Sequence, residues 1–108
     1  MFILNARKRL LAEKSFLTTV ALSPRKSVIN SAEDNQLKSL LLVLKLIFAG
    51  RILLSPSLYD SVRNRRAFRA LESDFQQGLF STLTKKNRKE YILKYLSIIS
   101  LLVEAVLE

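Results

Sequence analysis

Residues 31–50 read "SAEDNQLKSLLLVLKLIFAG", and the way this stretch must be buried decides the fold. Ser31 is a residue type favoured just before a helix, and Glu33 and Asp34 bring negative charge to the first turn, where the helix dipole favours it. Asp34 also stands where a capping box carries its reciprocal side chain, although Glu or Gln is usual there. At the far end Gly50 accepts a positive φ and suits the position just past a helix. Between these ends, Leu40 to Leu44 and Leu46 to Phe48 cover nearly the whole circumference. A helix apolar on almost every side is covered on most sides. It reads as the centre of a bundle or as an element between subunits.

Three further helices are expected around it. The first covers about residues 3–22, with Ile3, Leu4, Leu10, Leu11, Phe16, Leu17 and Val20 among its apolar positions; Ser23-Pro24 ends it, because proline disfavours helical geometry in the residue before it. The third has the clearest start. In "LLSPSLYD", residues 53–60, Ser55 is a preferred cap and Pro56 occupies the first helical position, where its missing N–H costs nothing. This helix is expected to run unbroken to about Glu72 or Phe75, and "DFQQGLFSTLT" with Gly78 then makes the connection. The last, capped by Thr82 or Thr84, begins "KKNRKEYILKYL" and continues to about Leu107.

Two glycines and two prolines in 108 residues argue against many short strands and tight turns. The reading is an all-α fold: one domain over residues 1–108, a compact bundle of about four helices, with residues 1–30 serving as a basic helix or arm. Helices two and four carry more apolar surface than a chain of this size easily hides. Self-association through one of them, as a homo-oligomer, is therefore expected.

Eighteen Lys and Arg against nine Asp and Glu give a net charge of +9. On so small a body that favours polyanionic partners: nucleic acid, an anionic membrane face or an acidic protein. The absence of histidine and cysteine removes thiolate and imidazole metal sites and histidine-based catalysis together. The acids show no paired grouping. A non-enzymatic protein without a metal or cofactor is the expectation.

The apolar residues from Tyr91 to Leu107 are interrupted by Lys94 and Glu104, and the run is too short and too charged for a membrane span of about 20 residues. A basic turn before an apolar segment also fits a helix lying on a membrane surface. The start "MFILNARKRLL" has the wrong order of charge and apolar residues for a secretory signal. Residues 1–30, with Glu13 their single acid, have the composition of a mitochondrial presequence or of a basic first helix. An intracellular site, nucleus or virion, is the favoured localisation.

Two basic clusters are the candidate sites. "SVRNRRAFRALES", residues 61–73, holds Arg63, Arg65, Arg66 and Arg69. On a continuous helix at about 100° per residue, Leu58 and Val62 point one way while Phe68, Leu71 and Phe75 lie roughly a third of a turn away. Arg65 and Arg69 fall inside the apolar arc, and Arg63 and Arg66 face outward. The outward pair suits phosphate, whose oxygens take paired guanidinium donors; Arg65 and Arg69 snorkel over apolar neighbours and are secondary. A solvated face with weak pairing to Asp60, Glu72 and Asp74 is the plainer alternative. The second cluster, "KKNRKE", puts Lys85, Lys86, Arg88 and Lys89 in the first turns of the last helix, flanked by Tyr91 and Tyr95. Cations there oppose the dipole, a local conflict that a polyanionic partner explains. "ARKRLL", with Arg7, Lys8 and Arg9, is a third basic patch.

From Leu46 onward the chain resembles small basic proteins of Maverick (Polinton) elements and adintovirus-like DNA viruses. The matching features are Gly50, then Leu54-Ser55-Pro56, then "SVRNRRAFRAL", "TLTKKNRKEYIL" and "SIISLLVEAVL". The glycine pair those proteins carry before the apolar tail is absent, and Tyr59, Asp60 and Glu72 dilute the basic helix. The resemblance implies an adenovirus-type core protein that condenses DNA within a particle.

The sequence thus points to a nucleic-acid-binding protein, DNA or RNA, that contacts the phosphate backbone with little sequence preference. The other readings are a helical protein-interaction adaptor and a membrane-surface protein.

Overall fold

The apolar run of residues 34–48 becomes the centre of the molecule. The computed structural model describes residues 2–108; Met1 and the surroundings of the Phe2 and Ile3 side chains, and with them the expected apolar role of Ile3, lie outside that description. The described residues form nine helices and no strand: α1 (Phe2–Ala12), α2 (Lys14–Leu22), α3 (Lys26–Asn30), α4 (Asp34–Phe48), α5 (Pro56–Val62), α6 (Arg66–Gln76), α7 (Leu79–Thr82), α8 (Lys85–Lys94) and α9 (Leu96–Leu107). Helix α4 packs against α1, α2, α6, α8 and α9. Eight of its apolar side chains are buried, from Leu37 to Ile47, and each contributes about 1.5–3 kcal/mol by leaving water. Ser39 is buried with them and spends its hydroxyl on the Asn35 carbonyl, 3.1 Å away.

The start of α4 differs from the expected one. Ser31 closes the short helix α3, donating its Oγ to the Ser27 carbonyl at 2.7 Å. Glu33 is the N-cap, and the Gln36 side chain accepts from the Glu33 amide at 2.8 Å. Gln36, three residues on, thus holds the reciprocal place first assigned to Asp34, in keeping with the preference for Glu or Gln there. The end of α4 is as expected. Gly50, at φ 73°, carries the chain out of the helix, with Gly50 N–H on the Ile47 carbonyl at 3.1 Å and Arg51 N–H on the Leu46 carbonyl at 2.8 Å. That pair of bonds is a Schellman motif.

Nine helices stand where about four were expected because three of the long segments are broken and two connections form the short helices α3 and α7. Helices α1 and α2 meet at Glu13 (φ −105°, ψ 18°), and α8 and α9 meet at Tyr95 (φ −113°, ψ 20°). The third break matters most for function. Ser55 and Pro56 start α5 as expected, with Ser55 Oγ accepting from Leu58 N–H at 3.3 Å. The helix then stops at Val62. Residues 63–65 form a turn in which Arg65 N–H bonds to the Val62 carbonyl at 2.9 Å, and α6 begins afresh at Arg66. A continuous helix would hold Val62 a third of a turn from Phe68 and about half a turn from Leu71. The break lets all three enter the core, at 0%, 4% and 0% exposure.

Every helix from α2 to α9 contributes to one buried cluster. Helix α1 adds Ala6 to a smaller one with Leu42 and Leu46. Phe48, Phe68, Phe75, Phe80, Tyr91 and Tyr95 form a row of ring contacts, with centroids 5.1–6.2 Å apart along it, linking α4, α6, α7 and α8. The radius of gyration is 12.8 Å, near the roughly 13 Å expected for 100 compact residues. Most apolar side chains of α4 and α9 are covered within the chain, while Leu101, Val106 and Leu107 of α9 are partly exposed. Among the described residues the large apolar side chains left most exposed are elsewhere: Leu4, Leu11, Leu22, Leu53 and Tyr59. Among the described residues no helix is long and apolar enough to cross a membrane.

Candidate nucleic-acid interface

The turn between α5 and α6 changes what the arginine cluster presents. Arg63 closes α5, Arg65 is the residue before α6, Arg66 opens it, and Arg69 lies one turn further along. All four side chains are exposed. Arg65 and Arg69 therefore do not crowd a packed face, contrary to the expectation from a continuous helix; the turn rotates them into water while Phe68 and Leu71 take the core side. Arg63 pairs with Asp60 at 3.8 Å, both side chains more than half exposed, which is worth little and leaves the guanidinium accessible. Glu72 makes no ion pair among the described residues, and Asp74 is engaged elsewhere.

At the front of α6 no side chain caps the first amides, and its first turn holds no acid. Its N-terminal N–H groups, the positive end of the helix dipole and the arginines point to the same preference for an anion. Helix α8 is similar in charge. Thr84, one of the two expected caps, accepts from Asn87 N–H at 3.3 Å, and Lys85 and Lys86 follow, both exposed, again with no acid in the turn.

The four basic residues of α8 nevertheless divide. Arg88 turns inward. Its Nε and Nη2 donate to the two carboxylate oxygens of Asp34 at 2.9 and 3.0 Å, and its Nη1 donates to the Leu83 carbonyl at 2.6 Å. Lys89 is half-buried and donates to the Asn30 carbonyl at 2.9 Å, tying α8 to α3. Lys85, Lys86 and Lys89 line one hollow with Asn30, Asp34, Leu37 and Glu90. None of the α5–α6 arginines lines it. Tyr91 is also taken: its phenol donates to Asp74 at 2.6 Å and its ring contacts Phe80 and Tyr95. Burial, followed by the Asp74 bond and charge, raises the phenol well above the ordinary tyrosine range.

The sequence did not reveal Asp34 as the partner of Arg88. Fifty-four residues separate them, and Asp34 read naturally as a first-turn acid. Sequence reasoning also missed a cleft in which Arg9, Lys38 and Lys45 join Arg88; the lysines lay hidden inside an apolar helix pattern. Among the described residues no three carboxylate, histidine or cysteine groups come together to hold a metal ion. A scan of known protein families, a search of characterised proteins and a search of solved structures each find no match to this chain.

Proposed function

We propose that this protein binds nucleic acid through backbone phosphates, without chemistry and with little sequence preference. One observation carries the reading. Helices α6 and α8 both open on exposed cations with no acid in the first turn, against their own dipoles, whereas α4 opens on Glu33 and Asp34. Helices α2 and α3 also open on exposed cations, Lys14 and Arg25-Lys26, with no acid in the first turn, so four helix starts run against the dipole and α6 carries the densest cluster, Arg65, Arg66 and Arg69. Phosphate oxygens satisfy both the free amides and the side-chain cations. Arg65, Arg66 and Arg69 with Lys85 and Lys86 are the principal contacts, Arg63 is accessible beside them, and Lys89 is partly held. Arg88 acts as a brace for α8. A core-protein role in a virus or mobile element, as the resemblance implies, is one setting for such binding.

The adaptor reading has its own observation. A groove of about 380 Å³ runs between α1, α2, the residues after α4 and the end of α9, with Leu11 exposed along it and Arg7, Lys14 and Arg51 on its rim. Self-association, if it accompanies function, uses this margin and the exposed Leu4 and Leu53, since α4 lies inside. Titrating the protein against duplex DNA, duplex RNA and anionic vesicles across a range of salt separates the readings. Duplex affinity that falls steeply with salt supports the proposal; duplex affinity indifferent to salt, or binding confined to vesicles, overturns it.

A further inference from the structure

Beside the exposed basic turns lies a recess of different character, between α1, α4, α7 and α8, with a volume of about 240 Å³. Four cations line it: Arg9 from α1, Lys38 and Lys45 from α4, and Arg88 from α8. Among the described residues Asp34 is the one carboxylate paired with any of them, bonded to Arg88 at 2.9 Å and paired with Lys38 at 3.6 Å. Arg9 and Lys45 make no ion pair among the described residues. The recess therefore keeps an excess of about three positive charges after its internal pairing. Ser81 adds a hydroxyl at the edge, and Leu41, Leu42 and Phe80 form an apolar wall.

Lys45 is the informative member. It is half-buried, set between the buried side chains of Leu44 and Leu46 along α4. Burial at this level covers the methylene stem, and no carboxylate pairs with the ammonium among the described residues. A leucine or methionine there would suit the helix better if packing were the whole purpose. Arg9 and Lys38 line the same recess with the same sign, so like charges gather at one place.

We propose that this recess is a binding site for a phosphomonoester: a terminal phosphate group together with the few carbons that carry it. A dianion with three oxygens matches the charge excess and takes donors from several directions at once. Arg88 enters already oriented, because Asp34 and the Leu83 carbonyl fix its guanidinium; Lys45 and Arg9 supply the unpaired charge, and the Ser81 hydroxyl donates from the rim. The size of the recess and its apolar wall favour one enclosed group over a strand laid across it. The site is separate from the helix starts of α6 and shares with them only the preference for phosphate.

The test is a titration of the full chain with inorganic phosphate, followed by amide NMR at fixed ionic strength balanced with chloride, at a pH well above the second pKa of inorganic phosphate so that the dianion dominates. Signals from Lys45, Ser81 and Arg88 are expected to move and saturate. Lys45→Met, which keeps the methylene stem, should weaken the response by about tenfold or more, and Arg9→Gln by less. A parallel arm compares oligonucleotides with a 5′-phosphate and a 5′-hydroxyl. A preference for the phosphorylated end that Lys45→Met abolishes places the phosphate on nucleic acid; equal binding of the two, with phosphate saturation intact, places it on a small phosphoester. Shifts that chloride reproduces, that never saturate, or that persist in a folded Lys45→Met variant overturn the site. Salt-sensitive duplex binding with no phosphate response overturns this site alone, whereas phosphate saturation without duplex binding overturns the duplex surface alone.

Discussion

Asp34 and Arg88 meet fork to fork, with two parallel bonds of 2.9 and 3.0 Å joining the first residue of α4 to the second turn of α8. Their side chains are only 20% and 14% exposed, so this is more than a surface pair. It explains why Arg88 is held toward α4 and lines the recess there, while Lys85 and Lys86 of the same helix start stay exposed. Arg88→Met is expected to lower stability by about 1–3 kcal/mol, measured by urea denaturation, while leaving duplex affinity close to that of the parent. The reverse pattern, intact stability with lost affinity, would return Arg88 to the interface.

The same pair sets an acid dependence. The Arg88 hydrogen bond, aided by the charges of Arg88, Lys38 and Lys85, holds the Asp34 carboxyl below the usual carboxylate range, against a desolvation effect that raises it. A carboxylate depressed in the folded state contributes stability that is complete above its unfolded pKa of about 3.9 and is lost as the pH falls through the folded value. Stability should therefore decline below about pH 4, and Asp34→Asn should be less stable at neutral pH with a shallower decline. Parallel acid limbs for the two proteins would refute the assignment.

The turn at residues 63–65 can be tested with a residue that helices reject. Arg66 is the first residue of α6, and Arg65 before it sits at φ −71°, ψ 135°, geometry that a following proline favours. Arg66→Pro is expected to be neutral or to stabilise by about 0.4–1 kcal/mol. Were α5 and α6 one helix, proline there would cost about 3 kcal/mol. Thermal melts distinguish the two directly.

Where the chain announced its own geometry, it did so through residues with special backbones. Ser55-Pro56 and Gly50 marked the start of α5 and the end of α4, and both hold in the structure. The breaks at Glu13, at 63–65 and at Tyr95 contain no glycine or proline, so nothing local marked them. One trace was present: the third-of-a-turn mismatch between Val62 and Phe68, read as crowding by Arg65 and Arg69, was the signature of a break. The clusters of charge were legible as charge. Their division into exposed and engaged groups was not, because the partners of Arg88, Lys89 and Tyr91 come from α4, the end of α3 and α6.

Tyr91 offers an alkaline counterpart to Asp34. Burial and then the Asp74 hydrogen bond keep its phenol protonated past the range where an unfolded tyrosine, near pH 10, ionises. Between those values the unfolded chain has released a proton that the folded chain retains, so stability falls as the pH rises. Tyr91→Phe should cost about 1 kcal/mol near neutrality and flatten that alkaline fall. Denaturation midpoints measured either side of pH 10 decide it.

The central claim is phosphate contact at the starts of α6 and α8, and its most direct measurement is duplex-DNA affinity across a salt series. The logarithm of the association constant should fall linearly with the logarithm of salt concentration, and the double variant Arg66→Ala with Lys86→Ala should reduce that slope by about one unit per lost contact while remaining folded. A parent protein whose affinity ignores salt, or a folded double variant with an unchanged slope, would contradict the account.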